Sequence, residues 1–112
     1  MPGKFLAEFE LYVMLSMARL GEKAYGASIR KEIQKRTARP VSIGALYATL
    51  ARLGEKGLVA FEVSDPQPVQ GGRARKYCRL TSEGKDALHH SAAMLGRMMD
   101  GLDLAPQSDG GS

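Results

Sequence analysis

The chain has 112 residues, 44% hydrophobic and 25% charged. That balance fits one folded domain with a modest core, and it excludes a disordered or a large multidomain chain. Lys and Arg number 16 against 12 acids, for a formal charge of +4 and an isoelectric point near 9.4. This excess suits a polyanionic partner. Cys78 is the single cysteine, so neither an intrachain disulfide nor a Cys-based metal cluster is available; this fits a reducing cytoplasm. One Lys precedes Phe5 with no long apolar run after it, so no signal peptide is expected. Leu11 to Leu15, the longest apolar run, is far too short to span a membrane.

From Phe5 to Leu20 the apolar residues Phe5, Leu6, Phe9, Tyr12, Val13, Met17 and Leu20 follow a helical period. Leu11, Met14, Leu15 and Ala18 widen the stripe, leaving Glu8, Glu10, Ser16 and Arg19 as the expected exposed positions. A helix this apolar is central and is covered on more than one side. Gly21 suits its C-terminal cap. After a tight connection, Tyr25-Gly26 opens a second helix over Ala27 to Arg36, with Ile29 and Ile33 inward. Its basic residues, Arg30, Lys31, Lys35 and Arg36, read mostly as a solvated face. Pro40 biases Arg39 away from helix and closes the element.

Ser42 is placed to N-cap a third helix, Ile43 to Lys56. Leu46, Leu50 and Leu53 mark its buried stripe, with Ile43 and Tyr47 nearby. Its other face shows Gly44, Ala45, Ala48, Thr49 and Arg52. Small residues there suit close approach to a surface such as a major groove, or equally close packing on the preceding helix. Gly57 ends the element. Leu58 to Val63 alternates, with Val59, Phe61 and Val63 in period two, and predicts a strand. Ser64 to Gly72 is a loop, and Arg73 to Leu80 is the return strand with Tyr77 inward. Arg73, Arg75, Lys76 and Arg79 make this hairpin basic, and Gly71-Gly72 would let its backbone approach a phosphate. The competing reading is a charged edge that discourages aggregation.

Thr81 is placed to N-cap a last helix of about five turns, in a partial capping box with Glu83. Leu88, Ala92, Leu95, Met99 and Leu102 form an a/d seam, which either packs on the first helix or meets a second subunit. Residues 105–112 carry Pro, Gly, Ser and Asp without apolar periodicity and are expected to be a disordered tail. No catalytic constellation converges. His89-His90 lacks companion ligands, Cys78 reads as a half-buried structural thiol, and Gly71-Gly72 lacks the Lys-Ser/Thr of a P-loop. No cofactor or metal is expected, and the chain reads as a binding protein, not an enzyme.

Helix, helix, helix, hairpin, helix is the winged-helix order, mainly α with a small β-wing. Residues 1–80 would form the winged helix-turn-helix, 81–104 a C-terminal dimerisation helix and 105–112 the tail. The segment from Ser42 through Leu46-Tyr47 to Leu53-Gly54-Glu55-Lys56-Gly57-Leu58 resembles the signature of PadR-type transcriptional regulators. Gly72-Arg73-Ala74-Arg75-Lys76-Tyr77 and Arg79-Leu80-Thr81-Ser82-Glu83-Gly84 are similar to the wing and last-helix entry of that family. Tyr25-Gly26 with Ile29 and Ile33 resembles its second helix. The resemblance implies a bacterial, cytoplasmic regulator, usually a repressor, acting as a homodimer on a palindromic operator in double-stranded DNA. It places Ser42, Gly44, Ala45, Tyr47, Ala48, Thr49 and Arg52 on the recognition helix and Arg73, Arg75 and Lys76 on the wing. The last helix, through Leu88, Ala92, Leu95, Met99 and Leu102, would carry the dimer. Cys78 stands where the family often has an aromatic. The absence of Trp removes the aromatic drug site of some relatives, so any small-molecule effector is unknown. A dimer would set two third helices in successive major grooves, about 34 Å apart, with Arg52 the leading candidate for a base or phosphate contact. The alternative is a winged-helix module that binds another protein and no specific DNA.

Overall fold

The computed structural model describes residues 6–64 and 75–104. Arg73, Gly71-Gly72, Phe5 and the predicted tail lie outside the described residues. Four helices and one antiparallel ribbon follow in the order α1 (Glu8–Leu20), α2 (Gly26–Thr37), α3 (Ile43–Glu55), β1 (Val59–Val63), β2 (Lys76–Leu80) and α4 (Ser82–Met99), with a short 3-10 turn (Gly21–Lys23) after α1.

The helix starts are local chemistry. The Ser42 hydroxyl accepts the Ala45 N–H at 3.1 Å and caps α3. Thr81 accepts the Gly84 N–H at 2.9 Å and donates to the Gly57 carbonyl at 2.7 Å, so one hydroxyl caps α4 and ties it to the end of α3. At the start of α2, Ser28 accepts the Tyr25 N–H at 2.9 Å and donates to the Lys23 carbonyl. Gly21 leaves α1 with a φ of +59°, where an L side chain would be strained.

α1 is the central helix and packs against α2, α3, β2 and α4. Val13, Met14 and Met17 meet Ile29 and Ile33 of α2 and Leu46, Leu50 and Leu53 of α3, with Leu58, Val59, Cys78 and Leu88 closing the core. The sequence pattern misplaces four α1 residues, Glu10, Leu15, Ser16 and Ala18. Glu10 and Ser16, expected outside, are buried, while Leu15 is 41% exposed. α1 is enclosed on so many sides that even polar positions fall inside. Its outward strip then carries Leu15 and Ala18.

The ribbon pairs Val59 with Leu80, Phe61 with Cys78 and Val63 with Lys76. Val59 and Cys78 are buried, whereas Val63, at the far end of the same face, is exposed because the ribbon extends beyond the core there. Cys78 is thus fully rather than half buried, and burial pushes its thiol pKa up against the opposing pull of Lys76, so it is an inert core thiol. Tyr77 is half-buried and meets the edge of Tyr25, with ring centroids 5.7 Å apart. The outer edge of β2 is not free: the Cys78 N–H donates to the Ala24 carbonyl at 2.8 Å, and Tyr25 forms a bridge with Tyr77.

α4 has its five turns but ends at Met99, so Leu102 lies beyond the helix and the a/d seam stops one position early. A Cβ on Gly84 would fall 2.0 Å from the Leu58 carbonyl oxygen, so only glycine lets α4 start against that backbone. Past Leu88 the seam is open: Leu95 and Met99 are about half exposed and Met98 more so.

Candidate nucleic-acid interface

Along α3, the leucine stripe faces the core and the opposite side is small. Gly44, Ala45, Ala48 and Ala51 are exposed, with Tyr47 and the Ser42 cap beside them. Tyr47, expected near the buried stripe, is 53% exposed, and Ile43 is also exposed. The Tyr47 ring crosses the start of α2. A Cβ on Gly26 would lie 2.3 Å from its hydroxyl, so glycine there gives the tyrosine its place. The small residues Gly44, Ala45 and Ala48 therefore form the open face, and it is Tyr47 that packs on α2.

Thr49 does not belong to that face. It is 2% exposed, and its hydroxyl accepts from Arg52 Nη2 at 3.1 Å. Arg52 is half exposed but tethered: its Nε lies 3.8 Å from Glu10 Oε2. The same Glu10 oxygen accepts from Lys56 Nζ at 2.9 Å, and the other accepts the Ala7 N–H at 2.9 Å. Burial alone would push the Glu10 carboxyl up. The Lys56 hydrogen bond, the Ala7 N–H and the charges of Lys56 and Arg52 outweigh it, and the group sits below the ordinary 4.5. Glu10 thus ties α1 to the C-terminal half of α3 and holds Arg52 along the flank of the helix.

The wing supplies cations on the same side as the Tyr47 ring. Arg75 places its guanidinium 4.5 Å from the centroid of Tyr25. Lys76 places its ammonium 4.5 Å from the centroid of Phe61. With Tyr47, Leu50 and Ala51 of α3, these four residues line a recess of about 480 Å³ between helix and wing. Three basic residues on α2 and just after it are engaged otherwise. Arg30 donates to the Val41 carbonyl at 2.6 Å, Arg36 pairs with Glu32, and Arg39 lies 3.4 Å from Glu8.

Sequence reasoning missed Glu10, Tyr25 and Phe61 as parts of this region. Lys76 stands two residues before Cys78, the partner of Phe61, so the strand register carried that contact. Nothing in the local sequence joins Tyr25 to Arg75 or Glu10 to Lys56. His89 and His90 are exposed on α4, and among the described residues no group of three or more His, Cys, Asp or Glu could hold a metal ion. Among the same residues, no helix is long and apolar enough to cross a membrane.

Three helices, a ribbon hooked back onto them and an exposed third helix beside that ribbon define a winged helix-turn-helix protein. The model of the transcriptional regulator PadR-like family matches residues 14–90, and the chain belongs to that family. The fold is similar to that of a PadR family transcriptional regulator from Eggerthella lenta, 32% identical, covering 83% of this chain and 82% of that one with a TM-score of 0.63. A PadR-like transcription factor from Bacteroides fragilis is 28% identical over 80% of this chain and 82% of its own, with a TM-score of 0.66. A winged-helix DNA-binding protein from STIV shares the fold at 19% identity, covering 88% of this chain and 98% of that one, with a TM-score of 0.68. No curated protein matches the chain. The PadR-like family is one of transcriptional regulators rather than enzymes.

Proposed function

We propose that the protein represses transcription by binding a palindromic operator as a homodimer in the bacterial cytoplasm. The observation that carries the DNA-binding part is the pairing of a small, exposed α3 face with the wing cations Arg75 and Lys76 across one recess. Gly44, Ala45 and Ala48 would let α3 sit deep in a major groove, where Ser42 and Tyr47 would reach phosphates or base edges. Arg52, tethered to Glu10 and Thr49, would contact the backbone at the groove edge. Arg73 would join Arg75 and Lys76 on the phosphates. Binding there would exclude polymerase without any chemistry on the DNA.

The open seam of α4, with Ala92, Leu95 and Met99, together with Leu15 on α1, supports the dimer. A salt titration of binding to promoter duplexes tests the DNA-binding reading. Replacing Arg73, Arg75 and Lys76 by alanine is expected to weaken binding and flatten the logarithmic salt slope by roughly 0.9 for each phosphate that is no longer neutralised. An unchanged slope would remove the wing from the interface. A wild-type protein with no salt-dependent affinity for DNA would favour the protein-binding alternative.

A further inference from the structure

The wing cations are seated on aromatic rings from two different elements. Arg75 lies over Tyr25, the residue that precedes α2. Lys76 lies over Phe61 in the facing strand β1. Neither cation forms an ion pair with a carboxylate among the described residues, unlike Arg36, Arg39, Arg52 and Lys56, which do. Both border the recess that Tyr47 shares with them on α3.

We propose that Tyr25 and Phe61 are positioning residues for DNA binding: each ring holds one wing cation toward the recess beside α3, where a DNA phosphate is received. A guanidinium lying over a ring uses its face and keeps its N–H groups for an acceptor. An ammonium over a ring likewise retains donors on its far side. A long cationic side chain normally loses rotamer freedom when it grips a phosphate. A cation already seated on a ring has given up part of that freedom in advance, so the further loss on binding is smaller. The rings themselves are anchored from behind. Tyr25 meets the Tyr77 ring edge-on and its backbone bridges to β2. Phe61 lies so close over α3 that a Cβ on Gly54 would come within 2.7 Å of it.

This inference rests on the DNA-binding reading, and double-mutant cycles separate the two. Affinity is measured for a short random-sequence duplex at several salt concentrations, since phosphate contacts are independent of sequence. Tyr25→Leu is expected to weaken binding by about two- to five-fold in the wild-type background, with Tyr25→Phe close to wild type. In the Arg75→Ala background the effect of Tyr25→Leu should disappear. Phe61→Leu with Lys76→Ala provides a second, independent cycle should Tyr25→Leu fail to fold. Equal effects in both backgrounds would overturn the proposal, as would coupling seen in thermal stability with none in DNA affinity. A wild-type protein that binds no duplex with a salt slope would instead bring down the DNA-binding reading, and this proposal with it.

Discussion

Glu10 shows how far a single side chain departs from what its neighbours in sequence suggest. It is an acid on an amphipathic helix, and yet it is enclosed between α1 and α3 with Lys56, Arg52 and the Ala7 N–H around it. Its pKa is lowered in the folded protein. A carboxyl with a folded pKa below its unfolded one stabilises the protein above the unfolded value, and that contribution fades as pH falls through the folded value. Glu10→Gln is therefore expected to cost about 2 kcal/mol at neutral pH. The gap in urea midpoint between variant and wild type should close on acidification below about pH 4.5. A gap that persists in acid would mean that packing, rather than charge, is what Glu10 contributes. The residue also changes the reading of Arg52, whose charge alone suggests a freely reaching fork.

At the scale of elements, the two threshold hydroxyls differ in how much they hold. Ser42 caps α3 through one hydrogen bond, to the Ala45 N–H. Thr81 caps α4 and also donates across to the Gly57 carbonyl. Ser42→Ala is expected to cost about 1 kcal/mol, and Thr81→Ala about 2 kcal/mol, in denaturant unfolding. Equal costs would mean that water replaces the Gly57 bond without penalty. Element identity was legible because each signal is local. Ser42 and Thr81 stand where their caps are needed, the Leu46-Leu50-Leu53 stripe repeats at helical spacing, and Val59 to Val63 alternates. The faces were less legible. Thr49 sits on the border of the leucine stripe, and tertiary packing rather than its spacing buries it. Leu102 continued the heptad count, but Asp100 leaves the helical region and ends α4 before it. The interface was half readable: the wing charges are plain in sequence, whereas the ring beneath Arg75 comes from Tyr25, on the far side of α2 and α3 in the chain.

For the whole molecule, the apolar surface is uneven. Leu15 on α1 and Leu95, Met98 and Met99 on α4 stay exposed although the core beneath is complete. Their burial in a second copy is the proposed answer. Leu95→Asp should convert the protein to monomers in sedimentation velocity, and an unchanged mass would exclude the α4 seam as the contact. Because each half-site alone offers few phosphates, the same variant should also lose most of its operator affinity while remaining folded.

The hook of β2 onto the Ala24–Tyr25 segment has a mechanical consequence. A two-stranded ribbon alone is soft and splays about its root. Here the root is a bracket, fixed along one edge to β1 and along the other to the Ala24 carbonyl. A push on the ribbon is delivered to the start of α2, and through the contact between Gly26 and Tyr47 to α3. A ribbon braced along both edges is expected to hold its spacing from α3, like one jaw of a fixed gauge. On the DNA-binding reading, such a gauge tests groove width before any base edge is compared, and a duplex of the wrong width escapes one jaw whatever its sequence.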